Sequence, residues 1–79
     1  MVLTSEHIRA ARALLRWEQK DLAAQSEVSL PTIKRLETKP GPLGANAPTI
    51  AALRRALEAA GIEFTNGDAP GVRLRKVGE

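Results

Sequence analysis

The stretch QKDLAAQSEVSLPTIKRLE, residues 19–37, contains two short helical patterns that meet abruptly. Two apolar sets define these patterns, Leu22 and Ala23 in the first and Val28, Ile33 and Leu36 in the second. This spacing predicts one helix over 19–25 and another over 30–37, and Ser29 can cap the second helix because its hydroxyl accepts a free backbone amide. Two short helices joined by about three residues must cross steeply, so they need other helices beneath them to bury enough surface.

Helical patterns on both sides of this pair supply such a base. Thr4 can cap a helix over 5–16, and Thr49 can cap a fourth helix that ends at Gly61. Between the third and fourth helices, residues 38–48 contain three prolines and two glycines, which predicts a loop. The sequence therefore predicts a mainly α domain over 1–61, followed by a different element over 62–79.

Length and composition restrict the classes of function. A chain of 79 residues is expected to form one small domain, without room for a separate sensor or catalytic domain. Cysteine is absent and His7 is the single histidine, so we expect a surface histidine and no metal, cofactor, small-molecule ligand or catalysis. No apolar run is long enough for a membrane span or a signal peptide, so a cytoplasmic location without membrane contact is expected.

The outer face of the predicted helix 30–37 carries side chains suited to contacting another molecule. This face contains Leu30, Pro31, Lys34 and Arg35. Ser29 and Thr32 lie at the start of the helix, where backbone amides are unpaired. The net charge of +3 weakly favours an acidic partner.

At these positions the chain resembles the phage-repressor and Cro-type helix-turn-helix regulators, also called the XRE-type family. The resemblance covers residues 4–60 and rests on Trp17, Gln19, Leu22-Ala23, Val28-Ser29, Thr32-Ile33 and Arg35-Leu36-Glu37. It implies a four-helix repressor-like domain with the helix-turn-helix at 19–37. It also implies a sequence-specific transcriptional regulator of bacterial or phage type, most simply a repressor, that binds double-stranded DNA in the nucleoid.

The resemblance assigns a role to each side chain on this surface. Helix 30–37 is expected to enter the major groove, while the start of helix 19–25 lies against the phosphate backbone. Base contacts are expected from Leu30, Pro31, Lys34 and Arg35, and phosphate contacts from Arg16, Gln19, Lys20, Ser29, Thr32 and Lys39. Arg35 is the expected specificity residue because its guanidinium matches the O6 and N7 acceptors of guanine, and Leu30 can contact a thymine methyl group.

Two further features concern the structure of the pair of helices. The family pairs an arginine of the first helix with the glutamate that ends the third, so an ion pair between Arg12 and Glu37 is expected, partly buried. Glu27 stands where the family usually has glycine in a left-handed turn, and this departure should cost about 1 kcal/mol.

Two other departures affect the expected DNA contacts. Glu18 replaces a small polar residue that usually caps the second helix beside a phosphate, so Arg16 and Lys20 would have to offset its charge. The loop after the third helix is longer than usual. Lys39 within it can either contact a phosphate or help a partner subunit to dock, and the sequence does not choose between these roles.

Residues 62–76, IEFTNGDAPGVRLRK, alternate between apolar and polar side chains and predict a β-hairpin. Its apolar face contains Ile62, Phe64, Val72 and Leu74, and it can rest on the fourth helix. An isolated hairpin is marginally stable and its edges invite pairing. We therefore expect one edge to pair with its twin in a homodimer, which suits a palindromic operator.

A second class of function stays open. The four helices could be the scaffold of a protein-interaction module whose hairpin adds a strand to another protein. A DNA-binding antitoxin would combine both activities, with helix 30–37 on DNA and the end segment on a toxin. Salt separates these classes, because DNA binding through several phosphates weakens steeply as salt rises and strand addition barely responds.

Overall fold

The computed structural model describes residues 2–65 and 71–75. Its elements, in chain order, are α1 Ser5–Leu15, α2 Gln19–Ser26, α3 Leu30–Thr38, α4 Ala47–Ala59, β1 Ile62–Thr65 and β2 Gly71–Leu74. The predicted mainly α class with a C-terminal hairpin is confirmed, and the first three helices agree with the prediction to within one residue at each end. None of the helices in the described residues is long and apolar enough to cross a membrane.

The ends of α1 are set by local backbone chemistry. Thr4 caps the helix as predicted, because its hydroxyl accepts the His7 N–H at 3.1 Å. At the other end Arg16 has φ 58° and ψ 37°, so the backbone turns left-handed and its N–H reaches the carbonyl of Ala13. An arginine rarely adopts this conformation, and the sequence did not predict it. The chain therefore leaves α1 through a strained residue directly before Trp17.

The start of α4 differs from the prediction. Asn46 caps this helix and Thr49 does not, since the Asn46 side chain accepts the Thr49 N–H at 2.9 Å. Pro48 consequently lies in the first turn of α4, where its missing N–H removes no helical hydrogen bond. The predicted stop at Gly61 is confirmed, because Gly61 follows the last turn with φ 109°.

The core lies between the helices and includes at least one side chain from each. Its buried apolar residues are Leu3, Ile8, Ala11, Leu22, Ile33, Leu36, Leu43, Leu53, Leu57 and Ile62. The short α2 and α3 pack against each other and rest on α4 and α1, respectively. Helices as short as α2 and α3 need this packing on α4 and α1, because neither could bury enough apolar surface alone.

The connection between α3 and α4, residues 39–46, is hydrogen-bonded to the N-terminal segment. The Leu43 side chain is buried, and its N–H donates to the Leu3 carbonyl at 3.1 Å. The Ser5 N–H donates to the Gly41 carbonyl at 2.9 Å, and the Gly41 N–H donates to a Glu6 carboxylate oxygen at 3.1 Å. The predicted loop is therefore shorter than 38–48 and forms part of the folded body.

The hairpin pairs β1 with β2 in antiparallel register, with Ile62 opposite Leu74 and Phe64 opposite Val72. Of the predicted apolar face, Ile62 is buried and Phe64 and Val72 pack against the core, but Leu74 is 45% exposed. β1 packs on α4 as expected, while β2 packs on α1. Residues 66–70 and 76–79, which include the predicted turn and tail, lie outside the described residues. The expectation of a surface histidine is wrong: His7 is only 9% exposed because its ring contacts Phe64 edge to face at 5.8 Å.

Candidate nucleic-acid interface

The turn between α2 and α3 is built from short-range hydrogen bonds. Ser26 Oγ donates to the Leu22 carbonyl at 2.7 Å and accepts the Val28 N–H at 3.2 Å. Between these residues Glu27 has φ 63° and ψ 20°, which is the left-handed conformation expected at this position. The sequence analysis missed Ser26, although a serine at the end of a helix is a common local hydrogen-bond former.

The first turn of α3 is closed by its own hydroxyl groups. Ser29 Oγ accepts the Thr32 N–H at 3.3 Å and donates to Thr32 Oγ1 at 2.8 Å. Ser29 therefore caps α3 as predicted. Both hydroxyls lie on a solvent-accessible part of the surface, and their phosphate contacts stay predictions.

The two sides of α3 differ sharply in burial. Ile33, Leu36 and Glu37 are buried against the body of the domain. On the opposite side, Pro31, Lys34 and Arg35 are exposed and Leu30 is half-buried. All four of the predicted base-contacting residues thus lie on the side of α3 that the domain leaves accessible.

The start of α2 and the outer side of α3 meet at one groove of about 240 Å³. The lining residues are Glu18, Gln19, Lys20, Leu30 and Lys34. Two predicted phosphate-contacting residues and two predicted base-contacting residues are therefore neighbours. We call Gln19, Lys20, Leu30, Pro31, Lys34 and Arg35 together the α2–α3 surface.

Arg35 is oriented by the connection that follows α3. Its Nη1 donates to the Gly44 carbonyl at 3.4 Å, a long hydrogen bond that leaves the guanidinium exposed. Thr38 closes the end of the same helix, since its hydroxyl donates to the Arg35 carbonyl at 2.7 Å. The connection thus lies beside the α2–α3 surface, and Arg35 stays accessible.

A buried ion pair lies beneath this surface. Arg12 Nε donates to Glu37 Oε2 at 2.7 Å and Arg12 Nη2 donates to Oε1 at 2.6 Å. The Glu37 side chain is 5% exposed and that of Arg12 is 19% exposed, so the predicted partly buried pair is confirmed. Arg12 Nη1 also donates to the Trp17 carbonyl at 3.0 Å. One guanidinium therefore links α1 to the end of α3 and to Trp17, in the connection between α1 and α2.

Gln19 joins the same cluster. Its Nε2 donates to Glu37 Oε1 at 3.0 Å, so one amide hydrogen of the predicted phosphate contact is already used inside the protein. The second amide hydrogen is left for another acceptor. Sequence reasoning missed this bond because the two residues are 18 positions apart and no local pattern relates them.

Two other predicted phosphate contacts, Arg16 and Lys39, do not line the groove. Arg16 lies at the left-handed end of α1 and Lys39 directly follows α3, and both are exposed. Lys20 Nζ lies 3.7 Å from Glu18 Oε1, with both side chains mostly exposed. The expected compensation of Glu18 by Lys20 is thus present in the folded chain, although an exposed pair of this kind contributes little stability.

Within 2–65 and 71–75, no group of three or more His, Cys, Asp or Glu residues is arranged to hold a metal ion. No protein-family model matches the sequence, and no curated protein matches it. The candidate interface therefore rests on its own geometry and charge.

Proposed function

We propose that this chain is a transcriptional regulator that binds double-stranded DNA sequence-specifically through a phage-repressor type helix-turn-helix, with α2 and α3 as its two helices. The observation that carries the proposal is the α2–α3 surface, where the start of α2 and the outer side of α3 line a common groove. A helix-turn-helix needs this arrangement, because α3 must enter the major groove while the start of α2 meets the phosphate backbone.

The charge of this side of the molecule supports a polyanionic partner. The exposed cations Arg16, Lys20, Lys34, Arg35 and Lys39 lie on or beside the α2–α3 surface. The acidic residues in this part of the chain are Glu18, Asp21, Glu27 and Glu37. Lys20 lies beside Glu18, and Arg12 pairs with the buried Glu37. Such an excess of positive charge attracts phosphates and speeds association with DNA.

Base reading would come from the outer side of α3. Arg35 can donate two parallel hydrogen bonds to the O6 and N7 atoms of guanine, while Leu30 offers an apolar contact for a thymine methyl group. Lys34 can serve a base edge or a phosphate. Pro31 adds a rigid apolar surface at the first turn. Binding to an operator would then block transcription by occupancy, which makes repression the simplest mode of action.

The buried Arg12–Glu37 pair would keep the two parts of the reading surface in register. Glu37 lies at the end of α3, and it accepts hydrogen bonds from α1 and from Gln19 at the start of α2. A shift of α3 against α2 would break at least one of these bonds. The position of the phosphate contacts relative to the base contacts is therefore fixed before DNA arrives.

The experiment is selection of bound sequences from a random duplex pool, followed by salt titration of the best duplex. Arg16, Lys20 and Lys39 are the cations among the predicted phosphate contacts, so the slope of log K against log salt should be about −3 for one half-site. Enrichment of a motif containing guanine is expected. No enriched motif together with salt-independent binding would contradict the proposal.

Lys20→Ala and Arg55→Ala are the matched pair of variants for this titration. Lys20 lines the groove, whereas Arg55 is exposed on α4 and takes part in no hydrogen bond or ion pair among the described residues. Loss of the Lys20 charge should reduce the magnitude of the salt slope by about 1, uniformly across sequences. Arg55→Ala should leave the slope unchanged. Equal effects of the two variants would place the DNA elsewhere.

A further inference from the structure

The N-terminal segment, residues 3–6, runs beside the connection between α3 and α4. The Leu43 N–H donates to the Leu3 carbonyl at 3.1 Å, and the Ser5 N–H donates to the Gly41 carbonyl at 2.9 Å. The two pieces of chain are antiparallel at this point. Backbone hydrogen bonds therefore join the start of α1 to the residues that follow α3.

Buried side chains strengthen this contact. Leu3 and Leu43 are only 4% and 8% exposed, and both belong to the core. Ser5 is completely buried, and its hydroxyl donates to the Glu37 carbonyl at 3.3 Å in the last turn of α3. The N-terminal segment thus holds both the end of α3 and the connection that follows it.

The connection in turn contacts Arg35 on the outer side of α3. Gly44 directly follows the buried Leu43, and its carbonyl accepts a hydrogen bond from Arg35 Nη1 at 3.4 Å. Among residues 2–65 and 71–75, this carbonyl is the one hydrogen-bond partner of the Arg35 guanidinium. The position of the guanidinium therefore depends on the position of residue 44, which the buried Leu43 sets.

We propose that the N-terminal segment positions Arg35 for base reading, because it holds the connection where the Gly44 carbonyl can orient the guanidinium before DNA binds. Leu3, Ser5 and Leu43 are the positioning residues. All three are buried, so they act through Arg35 and do not touch DNA themselves. Their role rests on the proposed function, in which Arg35 reads guanine.

The contact with Gly44 is compatible with reading guanine. A guanidinium has five N–H donors in one plane and no acceptor. One donor serves the Gly44 carbonyl, and guanine requires only two parallel donors for its O6 and N7 atoms. Arg35 can therefore keep its bond to the connection while it binds a base.

Orientation before binding should act on discrimination between bases. Ordering a long side chain at an interface reduces affinity about two- to tenfold. This loss applies only to a duplex with guanine at the contacted position, since at another base pair Arg35 makes no bidentate contact and need not be ordered. Holding Arg35 in place therefore favours guanine over other bases and leaves the affinity for other duplexes nearly unchanged.

Gly41→Val disturbs the connection without removing a side chain from the core. Gly41 has φ 92°, a left-handed conformation that a β-branched residue scarcely adopts, so the backbone there must change. Gly44→Val is the matched control, because Gly44 is not left-handed and an added Cβ meets no atom within 4 Å. Circular dichroism checks that both variants fold. Leu43→Ala, which removes the buried anchor of the connection, replaces Gly41→Val if the latter does not fold.

NMR relaxation of the arginine Nε–H groups in the free full chain tests the orientation of Arg35 without DNA. Arg35 should have a higher order parameter than Arg55, which takes part in no hydrogen bond or ion pair among the described residues. Gly41→Val should lower the Arg35 value to that of Arg55, and Gly44→Val should not. Equal values for the two arginines in the wild type overturn the proposal, as does an unchanged Arg35 value in folded Gly41→Val.

Affinities for the selected duplex, and for one with the contacted guanine pair replaced, test the consequence for base reading. Gly41→Val should reduce the ratio of these affinities about two- to tenfold, while Gly44→Val keeps the wild-type ratio. In an Arg35→Ala background Gly41→Val should leave the ratio unchanged, because the connection acts through Arg35. An equal reduction with and without Arg35 would show a merely structural effect and overturn the proposal.

The outcomes distinguish this proposal from the one on which it rests. If no duplex is selected but the Arg35 order parameters behave as expected, the DNA proposal falls and with it the role in base reading, while the connection still orients Arg35. If a duplex is selected and folded Gly41→Val keeps the full affinity ratio, positioning by the N-terminal segment is overturned and the DNA proposal stands.

Discussion

The α2–α3 surface and the side of the molecule formed by α1 and β2 are both accessible, but they expose different chemical groups. The first carries lysine, arginine and glutamine around a shared groove, and it is supported by the bidentate Arg12–Glu37 pair. The second exposes the apolar side chains of Leu14 and Leu74. Exposure alone therefore does not define a partner. Charged donors suit a phosphate backbone, whereas exposed leucines do not attract phosphates.

The largest expected effect comes from removing the support of the α2–α3 surface. Glu37→Ala leaves the Arg12 guanidinium without its carboxylate in a mostly buried site, and breaking one side of a buried pair costs roughly 3–5 kcal/mol. Urea unfolding measures the loss. Glu58→Ala is the control, because the Arg54–Glu58 pair on α4 is about half exposed and should cost only about 0.3–0.5 kcal/mol.

The same variant separates stability from DNA reading. If Glu37→Ala is folded at low temperature, its affinity for the selected duplex should also fall, because α3 and Gln19 lose a shared acceptor. An unchanged melting temperature together with unchanged DNA affinity would show that the pair supports neither the fold nor the surface.

The next effect concerns Arg35 on the α2–α3 surface. Arg35→Ala should cost about 1–3 kcal/mol of discrimination at one base pair, because a bidentate contact to guanine is lost. Affinity measurements on the selected duplex and on a duplex with that base pair replaced give the difference. Arg55→Ala removes an exposed arginine from α4 and should leave discrimination unchanged. Equal discrimination by wild type and Arg35→Ala would assign specificity to another residue.

A smaller effect is expected at the turn between the two helices. Glu27→Gly should stabilise the fold by about 1 kcal/mol, because glycine adopts the left-handed conformation without the penalty of a Cβ atom. Glu27→Ala removes the charge but keeps the Cβ, so it should give no comparable gain. Arg16→Gly, at the second left-handed residue, should behave like Glu27→Gly. A lower melting temperature of both glycine variants would contradict the strain argument.

The two sides of the molecule also differ in how much the sequence revealed. The helices followed from apolar spacing, and Thr4 and Ser29 were found as caps because a cap acts within three residues. The same apolar spacing predicted the outer side of α3, because the residues of this helix that do not belong to the buried apolar pattern should be exposed to solvent. Local rules were therefore enough for the exposed members of the α2–α3 surface.

Contacts between distant parts of the chain could not be read in this way. Leu43 lies among prolines and glycines and still enters the core, because the Leu3 carbonyl accepts its N–H. His7 is buried by Phe64 of the hairpin, and Gln19 is drawn to Glu37 across the helix pair. Each case depends on tertiary packing that brings together residues with no sequence relation. Asn46 is different, since its capping role is local and was obscured by Pro48.

The smallest expected effect lies at Glu6, in the first turn of α1, and depends on pH. The pKa of Glu6 is lowered, first by its own backbone N–H, then by the Gly41 N–H and more weakly by Arg9. A carboxyl group whose pKa is lower in the folded state stabilises the fold above its unfolded pKa, and that contribution is lost as the pH falls through the folded value. Because the side chain is solvent-exposed, we expect a small but measurable dependence.

Glu6→Gln keeps an acceptor for the Gly41 N–H but removes the charge. Unfolding free energies of wild type and Glu6→Gln should therefore differ at neutral pH and converge in acid, below the lowered pKa of Glu6. Arg9→Ala is the control. The Arg9 guanidinium lies 3.7 Å from the Glu6 carboxylate, but backbone N–H donors lower the pKa of Glu6 more than Arg9 does. The unfolding free energy of Arg9→Ala should therefore keep most of the pH dependence seen in the wild type. If the unfolding free energies of wild type and Glu6→Gln differed by the same amount at every pH, the charge of Glu6 would not stabilise the hydrogen-bonded contact between α1 and the connection before α4.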